Sequence, residues 1–234
     1  MNERPPQVAL VVGGSGDIGR EVASRLGQLG YRLAITGRTE PRLEEAVGKL
    51  REFGADVRGF LCDLTDEEAI AGLFDELGEA YGRLDVLINA AGTAQPRLLI
   101  KADRSHFEET LRVNLVGPAL VARHGLMLMR KAGRGTIINI TSLGGRQGRK
   151  GFAAYCASKG ALIALSDSLR EEAAKFGVRV ASVCPDKVDT RMHGDDPERS
   201  GMIRPADVAE AVVFLLRLSP AAVVREVRIY NTEP

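Results

Sequence analysis

The sequence contains little cysteine, no long hydrophobic run and almost no excess of charge of either sign. Cys62, Cys156 and Cys184 are widely spaced and include no C-x-x-C pair, which argues against a zinc site or a disulfide framework and predicts reduced thiols. The 32 basic and 31 acidic residues leave a formal charge of +1, so the composition does not point to nucleic acid as a partner. No run of 18 uncharged apolar residues occurs, and the first residues are polar, which predicts neither a membrane span nor a signal peptide. We therefore expect a cytoplasmic protein.

What the sequence does contain is an alternation of short apolar runs with longer stretches of helical period. The runs are VALVV (8–12), RLAIT (32–36), DVRGFL (56–61), DVLIN (85–89), TIINI (136–140), RVASV (179–183) and VREVRI (224–229). Their nearly continuous Val, Ile and Leu indicate strands buried on both faces, as in a parallel sheet. Amphipathic segments between the runs indicate βαβ units. The pattern predicts one α/β domain over residues 1–234, with a doubly wound parallel sheet of about seven strands.

The first apolar run leads directly into a glycine-rich segment, GGSGDIG (13–19), and then into a predicted helix. Gly14, Gly16 and Gly19 have the G-x-G-x-x-G spacing, in the strand–turn–helix context that this pattern requires. Glycines there allow a tight turn and a close backbone approach, and the helix N-terminus offers free N–H groups to a pyrophosphate. The segment therefore predicts dinucleotide binding in a Rossmann-like fold.

The end of the second run bears on which dinucleotide is bound. NAD-binding folds place an acid about 20 residues further on, where it bonds the ribose 2′-hydroxyl. Here the segment reads ITGRTE, with Gly37 and Arg38 in place of an acid. A guanidinium suits a 2′-phosphate, and Thr36 and Thr39 offer hydroxyl donors. This predicts NADP(H) in preference to NAD(H), the alternative being that Arg38 is a solvated loop residue. Exchanging Gly37 for Asp and Arg38 for Ile is expected to reverse the preference.

A segment of small residues, GFAAYCASKGAL (151–162), carries two reactive side chains, Tyr155 and Lys159. On a helix, residues four apart lie on one face. A cation beside a tyrosine favours the phenolate and lowers the tyrosine pKa, which makes the hydroxyl usable in proton transfer nearer neutrality. Taken alone, the spacing also fits an ordinary tyrosine at a core edge with a solvated lysine one turn away.

Four further segments follow in order: CDL (62–64), NAAG (89–92), VNLVG (113–117) and NITS (139–142). Together with the glycine-rich segment and Y-x-x-x-K, they resemble the motifs of the short-chain dehydrogenase/reductase family over nearly the whole chain. The resemblance implies an enzyme, an NADP(H)-dependent oxidoreductase that interconverts a small-molecule carbonyl and an alcohol by hydride transfer. It also implies a homo-oligomer, either dimer or tetramer. The alternative from another class is a non-catalytic NAD(P)-sensing protein on the same fold.

The resemblance implies a catalytic set of four residues. Tyr155 would be the general acid/base that gives its proton to the carbonyl oxygen, and Ser142 would hydrogen-bond the same oxygen. Lys159 would lower the pKa of Tyr155 and bond the nicotinamide ribose. Asn114, in the fourth helix, would hold a water in a proton relay. The structural alternatives are a capping or loop role for Ser142 and a backbone contact in a helix bend for Asn114.

The resemblance also implies a set of cofactor contacts. Asp63 would contact adenine, unless it is only a helix cap, and the stretch from Asn89 would lie beside the ribose and the sheet. Residues after the sixth strand would close over the nicotinamide. The predicted cofactor-binding residues are Gly13, Ser15, Gly16, Asp17, Ile18, Gly19, Arg38, Asp63, Leu64, Asn89, Ala90, Gly92, Tyr155, Lys159, Pro185, Val188 and Thr190.

Two residues depart from the family pattern. Asp17 stands where the family has a glycine, so it places negative charge near the expected pyrophosphate, although its carboxylate could cap the helix. Asp186 also replaces a glycine, and because glycine permits backbone angles that a Cβ forbids, it predicts a different loop conformation over the nicotinamide.

Other polar groups carry weaker signals. The three histidines are scattered without ligand spacing, so no metal site is predicted. The basic cluster RQGRK (146–150) is interpreted as a solvated loop, with contact to an anionic substrate as the alternative. The polar segment 191–202 is in the position of a short substrate lid.

Overall fold

The computed structural model of the protein describes residues 6–193 and 201–232. Within those residues lie seven β-strands and seven α-helices. The strands are β1 (Val8–Val12), β2 (Arg32–Gly37), β3 (Val57–Leu61), β4 (Val86–Asn89), β5 (Gly135–Ile140), β6 (Val178–Pro185) and β7 (Glu226–Ile229). The helices are α1 (Asp17–Gln28), α2 (Glu40–Glu52), α3 (Glu67–Tyr81), α4 (Arg104–Leu111), α5 (Gly117–Ala132), α6 (Ala153–Ala174) and α7 (Pro205–Arg217). Each predicted apolar run forms a strand, with ends that differ from the prediction by at most two residues.

All seven strands belong to one parallel sheet, in the order β3-β2-β1-β4-β5-β6-β7. The predicted doubly wound, Rossmann-like architecture is therefore confirmed. The direction in which strands are added reverses between β1 and β4. In open α/β sheets a crevice forms outside the carboxyl ends of the strands at such a reversal, and ligands bind there.

Both faces of the sheet are covered, which explains why the strands are apolar at successive positions. Side chains of neighbouring strand residues point to opposite faces. In β1, Ala9 and Val11 pack in a core with α1, α2 and α7, whereas Leu10 and Val12 pack in a second core with α3, α5 and α6. Among the described residues, no helix combines the length and the apolar character that crossing a membrane would need.

Candidate active site

A cleft of about 550 Å³ lies at the carboxyl ends of the strands, around the reversal between β1 and β4. All but two of the predicted site residues line it. They are Gly13, Ser15, Gly16, Asp17, Ile18, Gly19, Arg38, Asp63, Leu64, Ala90, Gly92, Ser142, Tyr155, Lys159, Pro185, Val188 and Thr190. The two exceptions, Asn89 and Asn114, are buried. The fold thus brings segments from the whole length of the chain to one cavity.

The glycine-rich loop after β1 forms one end of the cleft. Gly13 has φ +78°, and a Cβ built there would lie 2.7 Å from the backbone of Ala91. A Cβ at Gly19 would lie 2.3 Å from the Gly13 carbonyl oxygen, so α1 packs against the loop only because residue 19 is glycine. Since the first N–H groups of a helix have no intrahelical partner, the start of α1 presents donors and a positive dipole end to the cleft.

Asp17 is the first residue of α1, and Gly16 occupies the N-cap position without a side-chain bond. The predicted capping role of the Asp17 carboxylate is therefore wrong. The carboxylate instead accepts hydrogen bonds from the backbone N–H and the Nε of Arg191, at 2.8 and 3.0 Å. Partial burial acts to raise the pKa of Asp17, but the hydrogen bonds and charge of Arg191, with that of Arg20, hold it below the ordinary value. Asp17 is thus ionised and paired in the cleft.

Two arginines, the predicted Arg38 and the unpredicted Arg42, line the cleft beside the glycine-rich loop, because Gly13 and Ser15 of that loop bond Thr36 near the end of β2. Both side chains are exposed, and among the described residues neither makes a hydrogen bond or an ion pair. Thr36, expected as a donor, is buried, and its hydroxyl accepts a bond from Gly13 N–H at 3.0 Å. Thr39 is the N-cap of α2. The two guanidinium groups are therefore cations that this part of the cleft presents to an anion.

Asp63 lines the cleft close to these arginines. Its Oδ1 accepts from the N–H and the hydroxyl of Thr65, both at 2.9 Å. The Thr65 backbone bond lowers the pKa of Asp63, although partial burial opposes it, and the charges of Arg38 and Arg112 lower it further. The cap of α3 is Asp66, so the alternative role of Asp63 as a helix cap is wrong. Contact with adenine stays a prediction.

Ser142, Tyr155 and Lys159 come together in the middle of the cleft. Ser142 follows β5, and its Oγ accepts from Gly144 N–H at 3.0 Å. Tyr155 and Lys159 lie one turn apart on α6, as the sequence predicts. The Ser142 hydroxyl lies near enough to the Tyr155 hydroxyl to lower the tyrosine pKa. Lys159 Nζ donates to the Ile140 carbonyl at 3.0 Å and lies 5.9 Å from the centroid of the Tyr155 ring.

The pKa values of this pair differ from the prediction. Burial raises the pKa of Tyr155, against the lowering effect of the Ser142 hydrogen bond and the Arg149 charge. Burial also lowers the pKa of Lys159, to about 8. The net shift of the Tyr155 pKa is therefore upward, because desolvation disfavours the charged form of both groups, and a lowering contribution from Lys159 stays a prediction. Tyr155 holds its proton at neutral pH, as a proton donor must.

Asn114 lies in a π-helical segment, Arg112–Val116, between α4 and α5. Its amide exchanges hydrogen bonds with the backbone of Thr93, at 2.8 and 2.9 Å. Its Nδ2 also donates to Ser158 Oγ at 3.0 Å, and Ser158 donates to the Tyr155 carbonyl at 2.7 Å. Single turns of π-helix inside helices are frequent at functional sites. Asn114 is thus connected to α6 through Ser158, which no sequence motif singles out, and its role in a proton relay stays a prediction.

Asn89 lies at the end of β4 but points into the protein. Its Nδ2 donates to Asn139 Oδ1 at 2.8 Å, and the side chain is 1% exposed. Asn139 in turn donates to Ser166 Oγ at 2.8 Å. The residue therefore joins β4, β5 and α6 beneath the cleft, while the following Ala90 and Gly92 line it.

The loop after β6 closes the remaining side of the cleft. No residue other than glycine has positive φ within the described ranges, so Asp186 occupies an ordinary backbone conformation, and the difference from the family's loop stays a prediction. Its N–H donates to the Ile229 carbonyl at 2.9 Å, and its carboxylate pairs with Arg149. Arg146 pairs with Glu226 at 2.8 Å. Arg146 and Arg149 of the basic cluster are therefore paired with carboxylates of the protein itself. Most of the predicted lid segment, residues 191–202, lies outside the described residues.

Comparison with known proteins adds an independent line of evidence. A family model described as short chain dehydrogenase matches residues 7–200. The chain is 38% identical to 3-oxoacyl-[acyl-carrier-protein] reductase of Bos taurus over 218 residues, which cover 90% of this chain and 91% of the relative. A crystal structure of an actinorhodin polyketide ketoreductase variant with NADPH superposes with a TM-score of 0.91 at 30% identity, covering 99% and 98% of the two chains. A metagenomic short-chain oxidoreductase in complex with NADP gives 0.86 at 34% identity, covering 97% and 98%.

Proposed function

The chain belongs to the short-chain dehydrogenase family of oxidoreductases, and from this premise we propose that it is an NADP(H)-dependent enzyme that interconverts a carbonyl and an alcohol. The observation that carries the proposal is the meeting of Ser142, Tyr155 and Lys159 in the same cleft as the glycine-rich loop. The residues present fit a phosphorylated dinucleotide, because the cleft has a helix N-terminus for the pyrophosphate and, beside it after β2, the guanidinium groups of Arg38 and Arg42 for a 2′-phosphate. When bound, the cofactor supplies the hydride.

The protein's own contribution is to stabilise charge and to deliver a proton. Negative charge grows on the carbonyl oxygen during reduction, and hydroxyl donors fixed in place stabilise it without reorganising. Gly144 N–H holds the Ser142 oxygen, which leaves the serine proton free to donate. Tyr155 gives its proton to the same oxygen, and the ammonium group of Lys159 stabilises the phenolate that remains.

A panel of carbonyl compounds, assayed by the loss of NADPH absorbance, tests this proposal. The panel begins with 3-oxoacyl thioesters, because relatives of the chain are described as 3-oxoacyl-[acyl-carrier-protein] reductases. We expect turnover with at least one β-keto substrate. Binding of NADPH without consumption across the panel would favour the non-catalytic sensing protein instead.

We expect NADP(H) to be preferred over NAD(H) by tens-fold in kcat/KM. A charge-assisted hydrogen bond contributes roughly 1.5–3 kcal/mol, which corresponds to about 10- to 150-fold in affinity, and exposure of Arg38 and Arg42 to solvent reduces it. Alanine at both positions should bring the two cofactors close to parity. Lys49→Ala, which removes a cation paired with Glu45 on the same helix, is the matched control. Equal or better kcat/KM with NADH in the wild type would contradict the proposal.

Reversal of this preference needs a different exchange from the one that the sequence suggests. A Cβ at Gly37 would lie 2.8 Å from Ser15 Oγ and 3.2 Å from Leu43 Cβ. Aspartate there would disturb the glycine-rich loop as well as supply an acceptor. Arg38→Asp places the carboxylate at an exposed position without that collision, and is the cleaner variant.

We propose that the chain assembles with itself through α5 and α6. A groove of about 390 Å³ runs between these helices and is lined by the apolar Leu126, Met127, Leu165 and Phe176 and by the charged Arg123, Arg130 and Glu172, among others. Met127 is exposed there, and an apolar centre with charged side chains around it suits an interface between two protein copies. Met127→Glu should reduce the mass measured by light scattering to that of a monomer, while Phe53→Glu, at the exposed end of α2, should not. A wild-type monomer would contradict this.

The proposal also covers the number of domains. We propose that residues 1–234 form a single domain, supported by the membership of all seven described strands in one sheet. A cytoplasmic location stays a prediction.

A further inference from the structure

We infer that Arg191 is a cofactor-binding residue, held over the glycine-rich loop by Asp17 so that its guanidinium group meets the pyrophosphate. The inference rests on the proposed binding of a dinucleotide. Nothing in the sequence motifs singles out Arg191, since it lies beyond the last matched position, Thr190. Arg191 and Asp17 both line the cleft, although they are 174 positions apart in the chain.

The contacts fix the position of the guanidinium group. Arg191 Nε donates to both carboxylate oxygens of Asp17, at 3.0 and 3.3 Å, and Nη2 donates to the Ser15 carbonyl at 3.2 Å. The backbone N–H of Arg191 donates to the same carboxylate at 2.8 Å. Arginine has five N–H donors, and within the described residues Nη1 has no partner. The side chain is therefore anchored on one edge and keeps donors on the other.

The charges around Asp17 make this part of the cleft favourable for an anion. A carboxylate at the start of α1 would by itself repel a pyrophosphate that approaches the helix N-terminus. Arg191 cancels that charge from within the cleft, whereas Arg20, 3.5 Å from the Asp17 carboxylate, lies outside the cleft lining. With the helix dipole included, the loop presents a net positive surface to an anion. Asp17 is then a positioning residue, which holds Arg191 where the family pattern has only glycine.

Binding measurements on purified protein test the inference without relying on turnover. Arg191→Met should weaken binding of NADPH by about tenfold or more, the fold-change that corresponds to one charge-assisted hydrogen bond. Adenosine 2′-monophosphate, which lacks the pyrophosphate, should bind both proteins within twofold of each other. Arg20→Met is the control, because Arg20 also pairs with Asp17 but does not line the cleft. This substitution should change NADPH binding far less.

A second substitution separates a direct role from damage to the loop. In Arg191→Met the Asp17 carboxylate is left facing the pyrophosphate, so adding Asp17→Gly should recover several-fold of the lost affinity for NADPH. The inference is overturned if Arg191→Met binds NADPH within twofold of the wild type, if Arg20→Met has the same effect, if the affinity for adenosine 2′-monophosphate falls equally, or if Asp17→Gly restores nothing. Failure of the wild type to bind either dinucleotide would instead overturn the proposed function.

Discussion

Tyr155→Phe is expected to reduce turnover of a carbonyl substrate by about 10²–10⁴-fold, the usual contribution of general acid catalysis. The substitution removes only the hydroxyl group that delivers the proton. The ring keeps its edge contact with Phe152, at 6.2 Å between centroids, and its position 5.9 Å from Lys159 Nζ. The dissociation constant for NADPH should therefore change little. Steady-state kinetics and fluorescence titration measure the two quantities.

The matched control for this experiment is Tyr81→Phe. The Tyr81 hydroxyl donates to the Leu33 carbonyl at 3.1 Å, outside the cleft, so its loss should lower stability slightly and leave turnover unchanged. Wild-type turnover in Tyr155→Phe would mean that another group supplies the proton and that the catalytic assignment is wrong.

Lys159→Met is expected to differ from Tyr155→Phe by weakening cofactor binding as well as turnover. The ammonium group is the cation available to the ribose and to the phenolate, and loss of a charge-assisted hydrogen bond corresponds to about 10- to 150-fold. We therefore expect NADPH affinity to fall by at least tenfold and turnover to fall by about 10²-fold or more. If NADPH affinity were unchanged, the role at the ribose would be wrong while the role beside Tyr155 could stand.

The same variant has a second signature, in the free energy of unfolding of the unliganded protein. Burial lowers the pKa of Lys159 to about 8 from 10.5, so between these values the unfolded chain binds more protons than the folded one. Stability rises with pH wherever that holds. The destabilisation caused by burying the charged ammonium group is fully present below pH 8, and it is lost as the pH increases toward 10.5.

Wild type should consequently gain about 2.5 kcal/mol relative to Lys159→Met between pH 7 and pH 10. Urea unfolding of both proteins at the two pH values measures this difference, and groups common to both proteins cancel. A constant difference would show that Lys159 titrates at its ordinary pKa and is not desolvated.

The strands and the main motifs could be predicted because each depends on a short stretch of sequence. A run of Val, Ile and Leu is buried on both faces wherever helices cover the sheet, and a fixed spacing of glycines gives the same turn in any strand–turn–helix unit. Tyr155 and Lys159 belong to this class, since one helical turn determines their relative position.

What could not be predicted depends on contacts between distant segments. The partner of Asp17 lies 174 positions away, so neither its ion pair nor the absence of a capping bond follows from the local sequence. Burial raises the pKa of Tyr155, and Ser15 and Leu43 limit the space around Gly37. Arg42 lies only four positions after Arg38, but the two are separated by the start of α2 at Glu40. That both arginines line the cleft is seen only in the structure.

The strand order also has a consequence for how the protein is made. The ribosome completes β1, β2 and β3 as a unit before β4 emerges, and β1 finds its second neighbour only when the chain closes across the Val8–Asp85 hydrogen bond, 77 positions apart. Pairings of such long range are slow to form, because a large loop must be ordered first. Until then the edge of β1 that pairs with β4 has unpaired N–H and C=O groups, to which a strand of another nascent chain could bind. The cleft takes residues from Gly13 to Met192, so it can be completed only after most of the chain has been synthesised.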